Sequence, residues 1–341
     1  MITPIIQAPM AGAHDERLAI AVANAGGLGS LPCAMLTADA IRAQVAAFRA
    51  AVDAPLNLNF FSHQMPPADP AREAAWQQRL APYFAELGAA PTGGPSRAPF
   101  DDAACAIVEE LRPEIVSFHF GLPAAALVAR VKATGARVWS SATTVDEAVF
   151  LERAGCDAII AQGLEAGGHR GMFLTTDVIT QVGTFALLPR VVDAVHVPVI
   201  AAGGIGDERG VAAAFALGAS AVQIGTAYLR TPEATIAYKA VVGTGETCVT
   251  NVFTGRPARG IVNRMIRELG PLAADVPAFP TAAPMFAPLR AKAEAAGSFD
   301  FTPLWVGQAA SLAREVSAAE VTMQLASAAP SRGSSAPLRS R

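Results

Sequence analysis

Short apolar runs rich in β-branched residues alternate along this chain with Ala-rich stretches whose apolar residues recur three and four positions apart. The runs fall at 5–10, 28–31, 56–60, 115–120, 137–142, 158–162, 198–202 and 221–225. Most show little polar alternation, as strands do when both faces are covered. The stretches between them predict helices. One over Glu16–Asn24 stops at Gly26-Gly27, and Thr37 or Asp39 caps another over 40–51. Two more, over 145–154 and 207–217, stop at Gly155 and Gly218. Strand alternating with helix predicts a parallel sheet, and eight strands are enough to close a barrel. An open doubly wound sheet would want a Gly-rich turn after its first strand and an acidic residue about 20 positions on. Here Ala11-Gly12-Ala13-His14 follows the first run. The expected fold is therefore an α/β (β/α)8 TIM barrel.

Two stretches break the rhythm. Residues 62–113 open Pro-rich, hold a helical piece around 72–87 and contain a Pro/Gly-rich loop at 90–99. Residues 231–307 are too long for one helix and carry many prolines. Both are expected as insertions forming a cap or small second domain at the C-terminal face. The division expected is a barrel core over 1–230, with the insertion inside it, and a substrate-side region with closing helices over 231–316. The Ser/Pro/Arg-rich stretch 329–341 is expected to be a disordered tail.

Composition narrows the class. With 52% hydrophobic and 16% charged residues among 341, the chain can bury a large core, which excludes disorder for most of it. The most apolar stretch, 191–205, is broken by Asp193, His196 and Pro198, so no run is long enough to span a bilayer. The opening residues lack a basic n-region and a cleavage site, and a soluble cytoplasmic protein is expected. A net charge of −3 with scattered basic residues gives no nucleic-acid footprint. Cys33, Cys105, Cys156 and Cys248 lie far apart without a CxxC pair; they read as reduced thiols, and no metal site is expected.

Three glycine-bearing junctions carry the candidate chemistry. Gly203-Gly204 follows the seventh run, and Gln223-Ile224-Gly225-Thr226 ends the eighth. Barrels commonly grip a phosphate at these two loops with backbone N–H groups and a short helix N-terminus. Such a grip suits FMN, a sugar phosphate or a nucleotide. The third junction, QGLEAGGHRG at 162–171, follows the sixth run and is rich enough in glycine to turn its amides toward a ligand. His169 stands at its far side, where histidine suits proton transfer or hydrogen bonding to an anion. His14, His63 and His119 are weaker candidates; His196 precedes the seventh strand, at the end of a barrel that serves stability, and is assigned no catalytic role.

Five segments in order closely resemble the nitronate monooxygenases. They are PIIQAPM at 4–10 with NAGGLG at 24–29, NLNFF at 57–61, QGLEAGGHRG at 162–171, PVIAAGGI at 198–205 with QIGT at 223–226, and TGRPARG at 254–260. The resemblance runs from Pro4 to about Val316. It implies an FMN enzyme that oxidises alkyl nitronates with O2 to a carbonyl compound and nitrite, with propionate 3-nitronate as a suggested natural substrate. It implies that the backbone of Ala8, Pro9 and Met10 packs on the flavin ring and that Asn59 contacts FMN. Gln162, Gly167, Gly168, Gly203, Gly204, Gln223, Ile224, Gly225 and Thr226 match further FMN contacts, and His169 faces the substrate, serving as base if neutral nitroalkanes are used. The chain departs from the pattern at His14-Asp15-Glu16, where relatives often have a small residue and a proline near the expected ligand mouth. Rival readings are an FMN-dependent enoyl-acyl-carrier reductase that oxidises NADH, and a non-catalytic flavin-binding protein. The sequence leaves the oligomeric state open.

Overall fold

The computed structural model describes residues 3–91 and 97–330. Part of the expected loop at 90–99, and the expected tail beyond its first two residues, lie outside the described residues. The chain opens with β1 (Ile5–Gln7), α1 (Glu16–Asn24), β2 (Gly29–Pro32), α2 (Ala38–Ala51), β3 (Leu56–Phe61), α3 (Pro70–Leu87) and α4 (Asp102–Leu111). Next come β4 (Ile115–His119), α5 (Ala125–Ala133), β5 (Arg137–Ala142), α6 (Val145–Arg153), β6 (Ala158–Gln162), β7 (Gly168–His169) and α7 (Thr184–Ala194). The last elements are β8 (Val199–Ala202), α8 (Glu208–Ala216), β9 (Ala221–Ile224), β10 (Thr247–Thr250), β11 (Ala258–Ile261), α9 (Arg264–Leu269), α10 (Ala282–Ala295) and α11 (Ala318–Ala326).

Eight strands form one parallel sheet in the order β1-β9-β8-β6-β5-β4-β3-β2. Its two edges meet through Gln7 N donating to Leu28 O at 3.0 Å and Leu28 N donating to Ile5 O at 2.9 Å, so the sheet wraps into a (β/α)8 barrel. Each expected strand is present, and β1 ends earlier than its apolar run. Ala8 N still reaches Ile224 O at 2.8 Å, but Pro9 has no N–H with which to continue the ladder. The chain then bends across the barrel mouth.

Helix starts follow their capping residues. Asp15, Thr37, Thr144 and Asp207 each accept a hydrogen bond from a first-turn amide of α1, α2, α6 and α8. Of the two residues expected to cap α2, Thr37 does so, and Asp39 lies inside the first turn. One apolar cluster, including Ile6, Trp139, Ile160 and Ile200, fills the inside of the barrel; a larger one joins the strands to the surrounding helices.

The two departures from the βα rhythm meet in space. Trp76, Leu80 and Phe84 of α3 share an apolar core with Met265 and Ile266 of α9 and with Phe286 and Leu289 of α10. Arg79 ties α3 to the end of α9 and to the segment after it, donating to Leu269 O at 3.0 Å and pairing with Asp275 at 2.6 Å. A small antiparallel sheet, β10-β11-β7, was not expected from the sequence, which reads 163–171 as a loop. It pairs Ala258 with His169 and Arg259 with Gly168, two stretches too short and too glycine-rich to announce strands. Among the described residues no helix is long and apolar enough to cross a membrane.

Candidate active site

The C-terminal ends of the barrel strands open into one cavity of about 1140 Å³. Its lining takes in Ala8, Pro9 and Met10, Asn59, Gln162, Gly167, Gly168 and His169, Gly203 and Gly204, and the run Gln223, Ile224, Gly225 and Thr226. All fourteen candidate residues therefore line a common space, although they come from the ends of five different barrel strands. His14 and His63 are buried but do not line it. His196 is exposed, 3.6 Å from Glu152.

One end of the cavity is built from backbone. Gly203 has φ +106°, and a Cβ there would lie 3.0 Å from the Ala166 amide nitrogen, so the turn after β8 needs glycine both for its dihedral and for its close approach. The expected helix N-terminus contributes little here, because Asp207 already caps α8 through Arg209 N and Gly210 N. The remaining donors are the loop amides and a single 3-10 turn, Thr226–Tyr228, that starts directly after Gly225. Thr226 Oγ1 accepts from Gly307 N at 2.9 Å, which leaves its own O–H to donate into the cavity. Gly167 owes its identity to something else. A Cβ there would stand 2.5 Å from Gly307 N, so this glycine lets the 306–307 segment press on the loop.

The loop after β6 is held by polar groups within the protein. Gln162 Nε2 donates to His169 O at 3.0 Å, and its Oε1 accepts from Gly171 N at 2.8 Å. Arg170, fully buried, spans the loop's base, donating to Gln181 Oε1, Gly163 O and Gln162 O at 2.7–2.9 Å. Burial, with the charge of Arg259 nearby, lowers its guanidinium to about 9 against the opposing pull of Glu165 and Glu147. Asn59 is tied to Ser117 through Nδ2 at 2.9 Å. Gln223 differs from these: its Oε1 is buried and has no partner among the described residues. A buried acceptor left this way signals a missing donor, and Gln223 lines the cavity.

The opposite wall is built from side chains. His169 Nε2 lies 2.9 Å from Thr254 Oγ1, and the Thr254 hydroxyl can donate onward to Arg256 O at 3.4 Å. That order makes Nε2 the protonated nitrogen and leaves Nδ1 bare. His119 Nε2 donates to the His169 carbonyl at 3.1 Å while its Nδ1 accepts from Ser141. Phe120, Phe279 and Trp305 surround the His169 ring at 5.4–5.8 Å between centroids. Burial pushes His169 well below the ordinary histidine value, and the charges of Arg97, His119, Arg256 and His63 add to this. The imidazole is neutral at physiological pH, and the cations beside it favour an anion. Arg256 sits 3.9 Å above the Phe120 ring with an unpartnered Nε, and burial lowers it to about 10, so it stays charged. Phe120 adopts φ +75°, a strained conformation for a bulky residue, and it orders this wall.

Sequence reasoning missed Thr254 and Trp305, which line the cavity with His169, and Arg256 and Phe120, which pack beside it without lining the cavity. Thr254 and Arg256 lay inside one of the quoted segments, TGRPARG, which was the available signal. No spacing rule joins them to a histidine 85 residues earlier.

The nitronate monooxygenase family model matches residues 1–327. A nitronate monooxygenase of Paraburkholderia phytofirmans is 45% identical over 333 residues, 94% of this chain and 91% of the relative. One from Pseudomonas aeruginosa is 44% identical over 335 residues, 94% of this chain and 95% of the relative. Among solved structures, a nitroalkane oxidase from Streptomyces ansochromogenes superposes with a TM-score of 0.88 at 39% identity, covering 95% of both chains. FabK from Thermotoga maritima superposes at 0.68 and 28% identity, covering 96% of this chain and 92% of its own.

Proposed function

This chain belongs to the nitronate monooxygenase family of oxidoreductases, and on that premise we propose that it is an FMN-dependent enzyme that turns alkyl nitronates and O2 into carbonyl compounds and nitrite. The observation that carries the reading is that a backbone cradle, a buried acceptor without a donor and a neutral histidine among cations share one cavity.

The residues suit FMN. The loop amides at Gly203, Gly204 and Gly225 and the Thr226 hydroxyl would hold its phosphate. The apolar bend Ala8-Pro9-Met10 would back the ring, and Gln223 Oε1 would accept a ring N–H. When bound, FMN supplies the electron acceptance that the protein's own side chains lack.

The protein's part is binding and proton handling. Arg97 and Arg256 raise the potential around His169, drawing a nitronate anion to that wall. Thr254 holds the imidazole by Nε2, and the bare Nδ1 can accept a hydrogen bond or take the α-proton of a neutral nitroalkane. The aromatic ring of Phe120, Phe279 and Trp305 keeps water from that proton.

The test uses the purified protein. Its visible spectrum is recorded, ethyl nitronate is added anaerobically to follow flavin bleaching, and O2 uptake and nitrite are followed in air. Bleaching with nitrite release is the expected result. A flavin spectrum that NADH bleaches and ethyl nitronate does not would transfer the chain to the reductase reading. Failure to take up FMN at all would remove the cofactor.

A further inference from the structure

The departure at His14 has a use other than lining the ligand mouth. His14 is buried beneath the bend that Ala8, Pro9 and Met10 make across the barrel. Its Nε2 lies 3.1 Å from Met10 N and 2.9 Å from Gln7 Nε2, and its Nδ1 lies 3.1 Å from Asp15 O. The hydrogen positions follow from chemistry. A backbone amide only donates, so Met10 needs an acceptor. Gln7 Oε1 accepts from Ser30 N at 2.9 Å, which turns the Gln7 NH2 group toward His14 as a second donor. Nε2 must then be bare, and the single proton of the neutral ring sits on Nδ1 and is donated to Asp15 O. Burial keeps the ring neutral by lowering it to about 4.

The bend has few other ties. Pro9 offers no N–H, and Met10 O is the acceptor of a tight turn from Ala13 N at 2.9 Å. Gln7 Nε2 also donates to Ala8 O, so one carboxamide and one imidazole hold the residues on either side of Pro9. The backbone of His14 is anchored as well. His14 bridges Ala234 in antiparallel fashion, and Thr235 N donates to Ala13 O at 2.8 Å, joining the bend to the segment that follows the barrel.

We propose that His14 is a positioning residue for the cofactor: by holding the Met10 amide and the Gln7 carboxamide, it fixes the surface that Ala8, Pro9 and Met10 present to the flavin ring. This rests on the FMN reading of the cavity. Substitution of the ring by a side chain without an acceptor strands two buried donors and lets the bend relax away from the ligand.

The experiment strips the full-length protein of flavin and titrates FMN back by fluorescence, while amide hydrogen exchange is followed on the peptide covering Met10 in the FMN-free protein. His14→Phe keeps the ring volume and removes the acceptor; His14→Leu is a second acceptor-free variant if phenylalanine does not fit. His14→Gln places an amide oxygen near the position of Nε2. The acceptor-free variants should weaken FMN binding about tenfold and speed Met10 exchange by at least about tenfold, with exchange in β5 unchanged. His14→Gln should restore both to within about threefold. Faster Met10 exchange in the acceptor-free variants, in a protein whose wild type binds no FMN, would uphold the clamp and sink the cofactor reading. Unchanged FMN affinity and unchanged Met10 exchange in a folded His14→Phe protein would overturn the proposal.

Discussion

The two walls of the cavity are made by opposite means. At the ends of β8 and β9 the cavity is lined largely by backbone, and the side chains are mostly absent: Gly203, Gly204 and Gly225. Around His169 the reverse holds, with imidazole, hydroxyl, guanidinium and aromatic rings packed from five separate stretches of chain. A backbone wall is spoiled by adding an atom. A side-chain wall is spoiled by removing one. The first should therefore control whether a cofactor is held, and the second what is done beside it.

The largest effect expected from that contrast is at Gly203. Its left-handed φ of +106° and the 3.0 Å approach of a Cβ to Ala166 N leave no room for a branched residue. Gly203→Val should cost on the order of 3 kcal/mol in strain and displacement, weakening FMN binding by about 100-fold or more. Reconstitution of the flavin-free protein, followed by fluorescence quenching, measures it. Retention of wild-type affinity would mean that the glycine wall does not carry the phosphate.

His169→Ala should leave FMN affinity intact and lower turnover of neutral nitroalkanes by about 10²–10⁴, with a much smaller loss on preformed nitronates. Oxygen uptake on the paired substrates reads the difference, and equal turnover by mutant and wild type removes His169 from the mechanism. The pH profile sharpens the same point. A base is active when deprotonated, and His169 is held well below the ordinary histidine value, so its protonation lies on the acid side of that value. The rate on a neutral nitroalkane should stay level as pH falls from 8 to about 6.5, where an exposed histidine would already be losing half its activity. A limb centred near 6.5 would contradict the burial.

Thr254→Val comes next, because it alters His169 without removing it. Loss of the 2.9 Å bond to Nε2 frees the ring to change tautomer, and kcat on nitroalkanes should fall about tenfold while FMN affinity holds. Thr254→Ser, which keeps the hydroxyl, should recover most of it. Equal kcat in the valine and serine variants would leave Thr254 as packing alone.

The same contrast explains what could be read in advance. The backbone wall is written in contiguous residues, AAGGI and QIGT, each at the end of a β-rich run, so strand pattern and glycine placement locate it together. His169 was legible for the same reason, standing in a glycine-rich junction. Its partners were not. Thr254 reaches it through β7 and β11, whose pairing joins a two-residue strand to a segment about 90 positions away, and neither has a periodic pattern. Phe120 gives no warning of its φ of +75°, since that conformation is imposed by packing against its own preference. The shared core of α3 with α9 and α10 was hidden likewise: each segment shows apolar residues needing cover, but nothing local says that they cover one another.

The smallest effect separates His14 from both walls, since it lines neither and holds the bend beside them. Its ring is lowered from the ordinary 6.5 to about 4 chiefly by burial, with the Asp15 carbonyl and charge pulling the other way. The unfolded chain therefore binds a proton between these values and the folded chain does not. The stability this group contributes is complete above about 6.5 and is lost as pH falls toward about 4, by roughly 1.4 kcal/mol for each unit of pH in that window. At pH 5.5 that amounts to about 1.4 kcal/mol, or a few degrees in Tm for a chain of this size. His14→Gln cannot take up the proton, so although less stable than wild type at pH 8, it should lose less stability on acidification. Urea midpoints at pH 8 and pH 5.5 compare the two proteins directly. Parallel losses in both would place the acid sensitivity in other groups, His63 and His119 among them, each also lowered to about 4 by burial. A shallower loss in the glutamine variant would assign a measurable part of it to the imidazole that holds Met10.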